Sequence, residues 1–152
     1  MEDAGFELGT DGPSVILVGV DDSVTAARAA WYAAGLARRQ HARVVAVYVE
    51  PIGAVTLAAP MDANVIAAEY AARDEIAKEL AARADEVGRE LGISIKFITA
   101  HGDAFHEIAR VAEETRADAI IVGASLKAGH RLLGSIAVRL VRAGKWPVTV
   151  VP

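Results

Sequence analysis

Apolar residues fall into two rhythms along this chain. Residues 14–20 (SVILVGV) are a short, β-branched, unbroken apolar run that begins after Gly12-Pro13 and stops at Asp21-Asp22-Ser23, a cluster suited to turning and capping. That pattern predicts a buried strand. Over residues 24–40 the period lengthens to that of a helix, with Ala27, Trp31 and Ala34 on one face and Arg28, Arg38 and Arg39 able to reach water. Ser23 is placed to cap it. Residues 43–49 (RVVAVYV) are a second nearly continuous apolar run, as expected of a strand covered on both faces. Residues 50–64 contain Pro51, Gly53 and Pro60 and keep no period, which predicts a long loop of the kind that is often functional.

The helical period returns over residues 65–90 and just beyond, where Ile76, Leu80, Ala84, Val87 and Leu91 recur at spacings of three and four. Asp74–Lys78 and Glu79–Arg83 set opposite charges one turn apart on its wet side. Residues 93–99 (ISIKFIT) alternate apolar and polar, predicting a strand at a sheet edge with one face in water. A helix over 103–115, a buried strand over 119–122, a glycine-punctuated loop, a helix over 134–143 and a strand over 147–151 complete the order β-α-β-α-β-α-β-α-β. This alternation implies an α/β fold: a parallel sheet with right-handed crossovers and helices on both faces. Ligands of such sheets bind at the carboxyl ends of the strands, near the point where strand order reverses. Residues 19–23, 47–50 and 122–135 are singled out by position.

Composition narrows the function. The chain has 152 residues, enough for one domain with a core of its own, and no cysteine, which excludes disulfides, thiolate metal sites and cysteine nucleophiles. The net charge of −4 offers no electrostatic footprint for nucleic acid or an anionic membrane. No apolar run approaches the roughly 20 residues that cross a bilayer, and residues 1–13 carry acid and glycine where a signal peptide needs a basic and then an apolar stretch. Residues 1–13 are therefore expected to be a disordered arm before a domain of residues 14–152, and the expected compartment is the cytoplasm.

Three features carry candidate chemistry. In residues 122–135, glycines follow a buried strand and Gly134-Ser135 open a helix, an arrangement that favours phosphate, with Lys127, His130 and Arg131 supplying positive charge. The same residues also suit a solvated connection capped by Ser135. Asp21, directly after the first strand, can accept from a ribose hydroxyl or an exocyclic amine, or can serve the turn. Val49 can offer backbone groups and an apolar wall to a base, or simply be buried. Against these stand the absent motifs: no Gly-x-x-x-x-Gly-Lys-Ser/Thr, no Gly-x-Gly-x-x-Gly after the first strand, no Gly-x-Ser-x-Gly and no His-Glu-x-x-His. His41, His101, His106 and His130 lack metal-ligand spacing and read as surface or helix-end residues, and Glu113-Glu114 as a solvated face. No catalytic constellation assembles.

The chain resembles the universal stress protein family over nearly its full length. The resemblance rests on Ile16-Leu-Val-Gly-Val-Asp-Asp-Ser23, Gly102-Asp103, Ala117-Asp-Ala-Ile-Ile-Val-Gly123, Leu132-Leu-Gly-Ser135 and Trp146-Pro-Val-Thr-Val-Val-Pro152. It implies an open five-stranded sheet ordered 3-2-1-4-5, of the adenine-nucleotide alpha-hydrolase-like kind. It also implies, as in many members, a homodimer through the last strand, here Val148, Thr149 and Val150. The ATP-binding branch carries Gly, two residues, Gly, nine residues, then Gly-Ser or Gly-Thr. Gly123 matches the first glycine and Gly134-Ser135 the closing pair, but Leu126 stands at the second glycine and seven residues, not nine, separate it from Gly134. By the same likeness Asp21, Val49, Val122, Gly123, Gly134, Ser135 and Ile136 are the nucleotide-binding positions, with His130 and Arg131 able to reach the phosphates across the shortened loop. The expected function is a stress-response regulator binding ATP or AMP, with magnesium accompanying ATP, and at most a slow ATPase. The alternative is a nucleotide-free adaptor of the same fold acting through protein contacts.

Overall fold

The computed structural model describes residues 12–51, 62–125 and 134–152. Its elements follow the predicted order: β1 (Val15–Val20), α1 (Val24–Gln40), β2 (Arg43–Glu50), α2 (Ala63–Leu91), β3 (Ile95–His101), α3 (Ala104–Thr115), β4 (Ala119–Gly123), α4 (Ser135–Ala143) and β5 (Val148–Val151). The five strands form one sheet in the order β3-β2-β1-β4-β5, parallel throughout. Strand order reverses at β1 and β4, where Ile16, Leu17 and Val18 pair with Ala119, Ile120 and Ile121.

Ile16, Val18, Val44, Ala46 and Ile121 pack beneath α1, while Leu17, Val45, Val47, Ile120 and Val122 face Ile108, Val111 and Ala112 of α3 and Ala137 and Leu140 of α4. Covering on both faces is why β1 and β2 read as continuous apolar runs. β3 lies at the edge predicted for it, but the alternation of exposed and half-buried residues breaks at Phe97 and Ile98, which are both half-buried against opposite faces of the sheet.

Side-chain caps decide where the elements begin. The Asp62 carboxylate accepts from the Asn64 amide, so α2 starts at Ala63, two residues earlier than its apolar period suggests. Gly92, in the left-handed conformation (φ 65°), ends it. Ser23 caps α1 as expected, its hydroxyl accepting from the Ala26 amide at 3.1 Å.

Two predicted details are corrected. The core face of α1 is Ala26, Ala29, Ala33 and Ala37, not the stripe Ala27–Trp31–Ala34; of that stripe only Ala34 is buried and Trp31 is 48% exposed. Alanines let the helix axis approach the sheet closely, and an indole there would hold it away. On α2, Asp74 and Lys78 pair at 2.7 Å as expected, but Arg83 turns from Glu79 to Glu86, at 3.5 Å, and lies over the Trp31 ring. Among the described residues no helix is long and apolar enough to cross a membrane.

Candidate functional site

At the carboxyl ends of β1, β2 and β4 the sheet opens into a cleft of about 540 Å³, bounded by the starts of α1, α3 and α4. Asp21, Val49, Val122, Gly123, Gly134, Ser135 and Ile136 all line it. Lys127, His130 and Arg131, and the departure from the family spacing at Leu126, lie outside the described residues. Glu50, at the end of the candidate segment 47–50, points elsewhere and pairs with His101 at 3.2 Å.

The floor and walls are carbon. Val47, Val49, Ile108, Val122 and Ile136 present an apolar surface, and Asp21 is the one ionisable residue among the described lining. Its carboxylate accepts from the Ser23 amide at 2.8 Å through Oδ1, which fixes the turn out of β1 and leaves Oδ2 unused among the described residues. The two readings of Asp21, turn residue and ligand acceptor, are therefore compatible in one side chain.

The glycines act mainly by letting protein approach protein. A β-carbon on Gly123 would stand 2.6 Å from the Thr25 carbonyl carbon and 2.7 Å from the Ala26 nitrogen, so β4 ends against the first turn of α1. A β-carbon on Gly134 would meet the Ser125 Cβ at 2.7 Å. Thr25 and Ser125, which position these two glycines and line the cleft, carry no sequence signal that periodicity can detect. The same holds for Ala104 and Ile108, which reach it only because α3 packs beneath β1.

Helix starts supply the polar donors. α1 is capped by Ser23, and α3 by Asp103, which accepts from the His106 amide and from Arg139 at 3.1 Å. Those bonds hold the Asp103 carboxyl below its ordinary pKa, the Arg139 bond contributing most. α4 differs: Gly134 stands at its N-cap and, among the described residues, no side chain takes up the first amides. The start of α4 thus faces the cleft with the positive end of its dipole and N–H groups that no described side chain claims.

Sequence and structure comparisons agree on kinship. Residues 14–152 match the universal stress protein family. The chain belongs to that family. A universal stress protein of Methanocaldococcus jannaschii is 28% identical over 138 residues, 90% of this chain and 80% of the relative. The universal stress protein UspA of Lactobacillus plantarum superposes with a TM-score of 0.77 at 26% identity, covering 91% of this chain and 97% of that one. A universal stress protein of Archaeoglobus fulgidus, solved in complex with dAMP, superposes at 0.63 with 26% identity, covering 90% and 96%. The fold of this universal stress protein is accordingly the adenine-nucleotide alpha-hydrolase-like one, with the sheet order 3-2-1-4-5 that the resemblance implied.

Proposed function

We propose that this universal stress protein holds an adenine nucleotide in the cleft as a regulatory ligand. The observation that carries the reading is that the start of α4, uncapped among the described residues, lines the same cleft as the Asp21 carboxylate. The base lies on the apolar wall of Val47 and Val49, Asp21 accepts from a ribose hydroxyl or an exocyclic amine, and the phosphates take the amides that follow Gly134. His130 and Arg131 are the side chains assigned to reach those phosphates. The dAMP complex of the Archaeoglobus fulgidus relative supports the ligand class. Where ATP is the nucleotide, magnesium enters with its phosphates. We assign the homodimer edge to β5, through Val148, Thr149 and Val150.

Calorimetric titration with AMP, ATP and cyclic AMP tests the reading. Ser135→Pro is the informative variant, because proline is tolerated at the first position of a helix and removes one amide donor. Gly134, at φ −53° and ψ 151°, already has the backbone that precedes a proline. Saturable heat is expected for the natural chain, with affinity reduced about tenfold or more in Ser135→Pro and in Asp21→Ala, the scale of a lost charge-assisted hydrogen bond. Absence of heat with every nucleotide would overturn the proposal, as would full affinity in both variants.

A further inference from the structure

On the opposite face of the sheet, α1 and α2 do not close upon each other. Between them runs a trough of about 340 Å³ whose floor is Val18, Val44 and Ala46 and whose walls carry Trp31, Leu80 and Val87. Trp31 is 48% exposed there, and α2 buries only Ala77 among its 29 residues, so its apolar stripe faces the trough half-covered. The volume falls at the lower end of the range for small-ligand sites, roughly 300–1,000 Å³. The strands beneath the trough, β1 and β2, are paired on both sides and cannot accept another strand. A small apolar molecule fits these limits, and an added strand does not.

Charge sets its polar end. Asp21 is the one anion of the described lining, and Arg83 is the cation of its α2 wall, with its guanidinium 5.9 Å from the centre of the Trp31 ring. Glu86 takes up one edge of that guanidinium at 3.5 Å, which leaves further donors in the planar fork that suits a carboxylate. We propose that this trough is a second binding site, for an acyl carboxylate whose chain lies along the α1–α2 gap and whose head group pairs with Arg83. The site lies on the other face of the sheet from the nucleotide cleft, with Val20, Asp21 and Ala26 common to both linings.

Trp31 is the natural reporter, and a Trp146→Phe background leaves it as the single tryptophan. Hexanoate, octanoate and decanoate, below their micelle concentrations, should each give a saturable blue shift, tightening about fourfold per added methylene as buried chain length dictates. Arg83→Ala should weaken decanoate about two- to fivefold, the scale of an exposed ion pair, while decanol binding stays unchanged. Ala84→Phe should fill the trough and abolish the response, and Ala30→Leu should weaken it; circular dichroism checks that both variants fold. No saturable shift, no chain-length dependence, or decylamine binding as tightly as decanoate would each overturn the proposal. So would decanoate binding that appears only after residues 1–11 are removed, because the occupant would then be the chain's own terminus.

Discussion

Gly123 and Tyr48 bear on stability in ways that only packing reveals. Gly123 has no room for a methyl group against Thr25 and Ala26, where the obstructing atoms are backbone and cannot turn aside. Gly123→Ala should therefore destabilise the protein by about 1–3 kcal/mol, the usual range for overpacking, measured as a shift in urea midpoint at constant slope. Tyr48 is buried, and that burial raises its phenol pKa, with the Glu50 carboxylate adding to the effect. A group whose folded pKa is raised contributes stability below its unfolded value that is lost as pH climbs through the folded one. Stability should hold up to about pH 10 and fall above it, and Tyr48→Phe should flatten that decline in unfolding curves recorded across the alkaline range. Sequence reading located Gly123 at the right turn but assigned its missing side chain to ligand approach. The neighbour that excludes a β-carbon lies 98 positions away in the chain and leaves no local pattern.

Helices show where periodicity suffices and where it does not. The stripe Ile76, Leu80, Ala84, Val87 and Leu91 is the half-buried side of α2, because Ile76, Leu80, Val87 and Leu91 are large apolar side chains at helical spacing, although the one buried residue of the helix, Ala77, lies beside it. For α1 the rule failed, since a helix rich in alanine has no single apolar face by composition, and weighting by size chose the Trp31 side over the alanine side that packs. The first ten residues of α2 differ again. Of residues 63–72 only Ile66 is even half-buried, so that stretch is held chiefly by its own backbone bonds, the Asp62 cap and the Arg73 bond to the Pro51 carbonyl. A helical segment without tertiary packing is marginal in water. Amide hydrogen exchange should be fastest at residues 63–72 and slowest in α1 and the central strands. Equal protection along α2 would show that its first half is packed against something further.

At the scale of the whole molecule, parallel pairing and the location of the cleft were legible because alternating β and α segments leave few topologies once right-handed crossovers are required, whereas the strand order was implied by the family resemblance. The proposed pairing of two copies through β5 was an expectation of the resemblance and of an apolar strand at the sheet edge, and the structure makes it testable. The carbonyls of Pro147 and Val151 accept from Ile120 and Ala124 of the β4 strand and its extension, so by alternation the backbone groups of Val148 and Val150 point outward from the edge. Val150→Pro should remove an outward donor while sparing the ladder to β4, converting a dimer into a folded monomer by sedimentation analysis. A natural chain that sediments as a monomer would dispose of the β5 interface.

Val20, Asp21 and Ala26 line the nucleotide cleft and also line the apolar trough behind it. The corner between β1 and α1 is thus a thin partition with a cavity on either side. Any free energy with which an occupant of one cavity shifts this corner must appear, equal in size, in the affinity of an occupant of the other. A response in the second cavity to events in the first would then require no rearrangement of the sheet and no relay through distant elements, only a small change in the set of one turn.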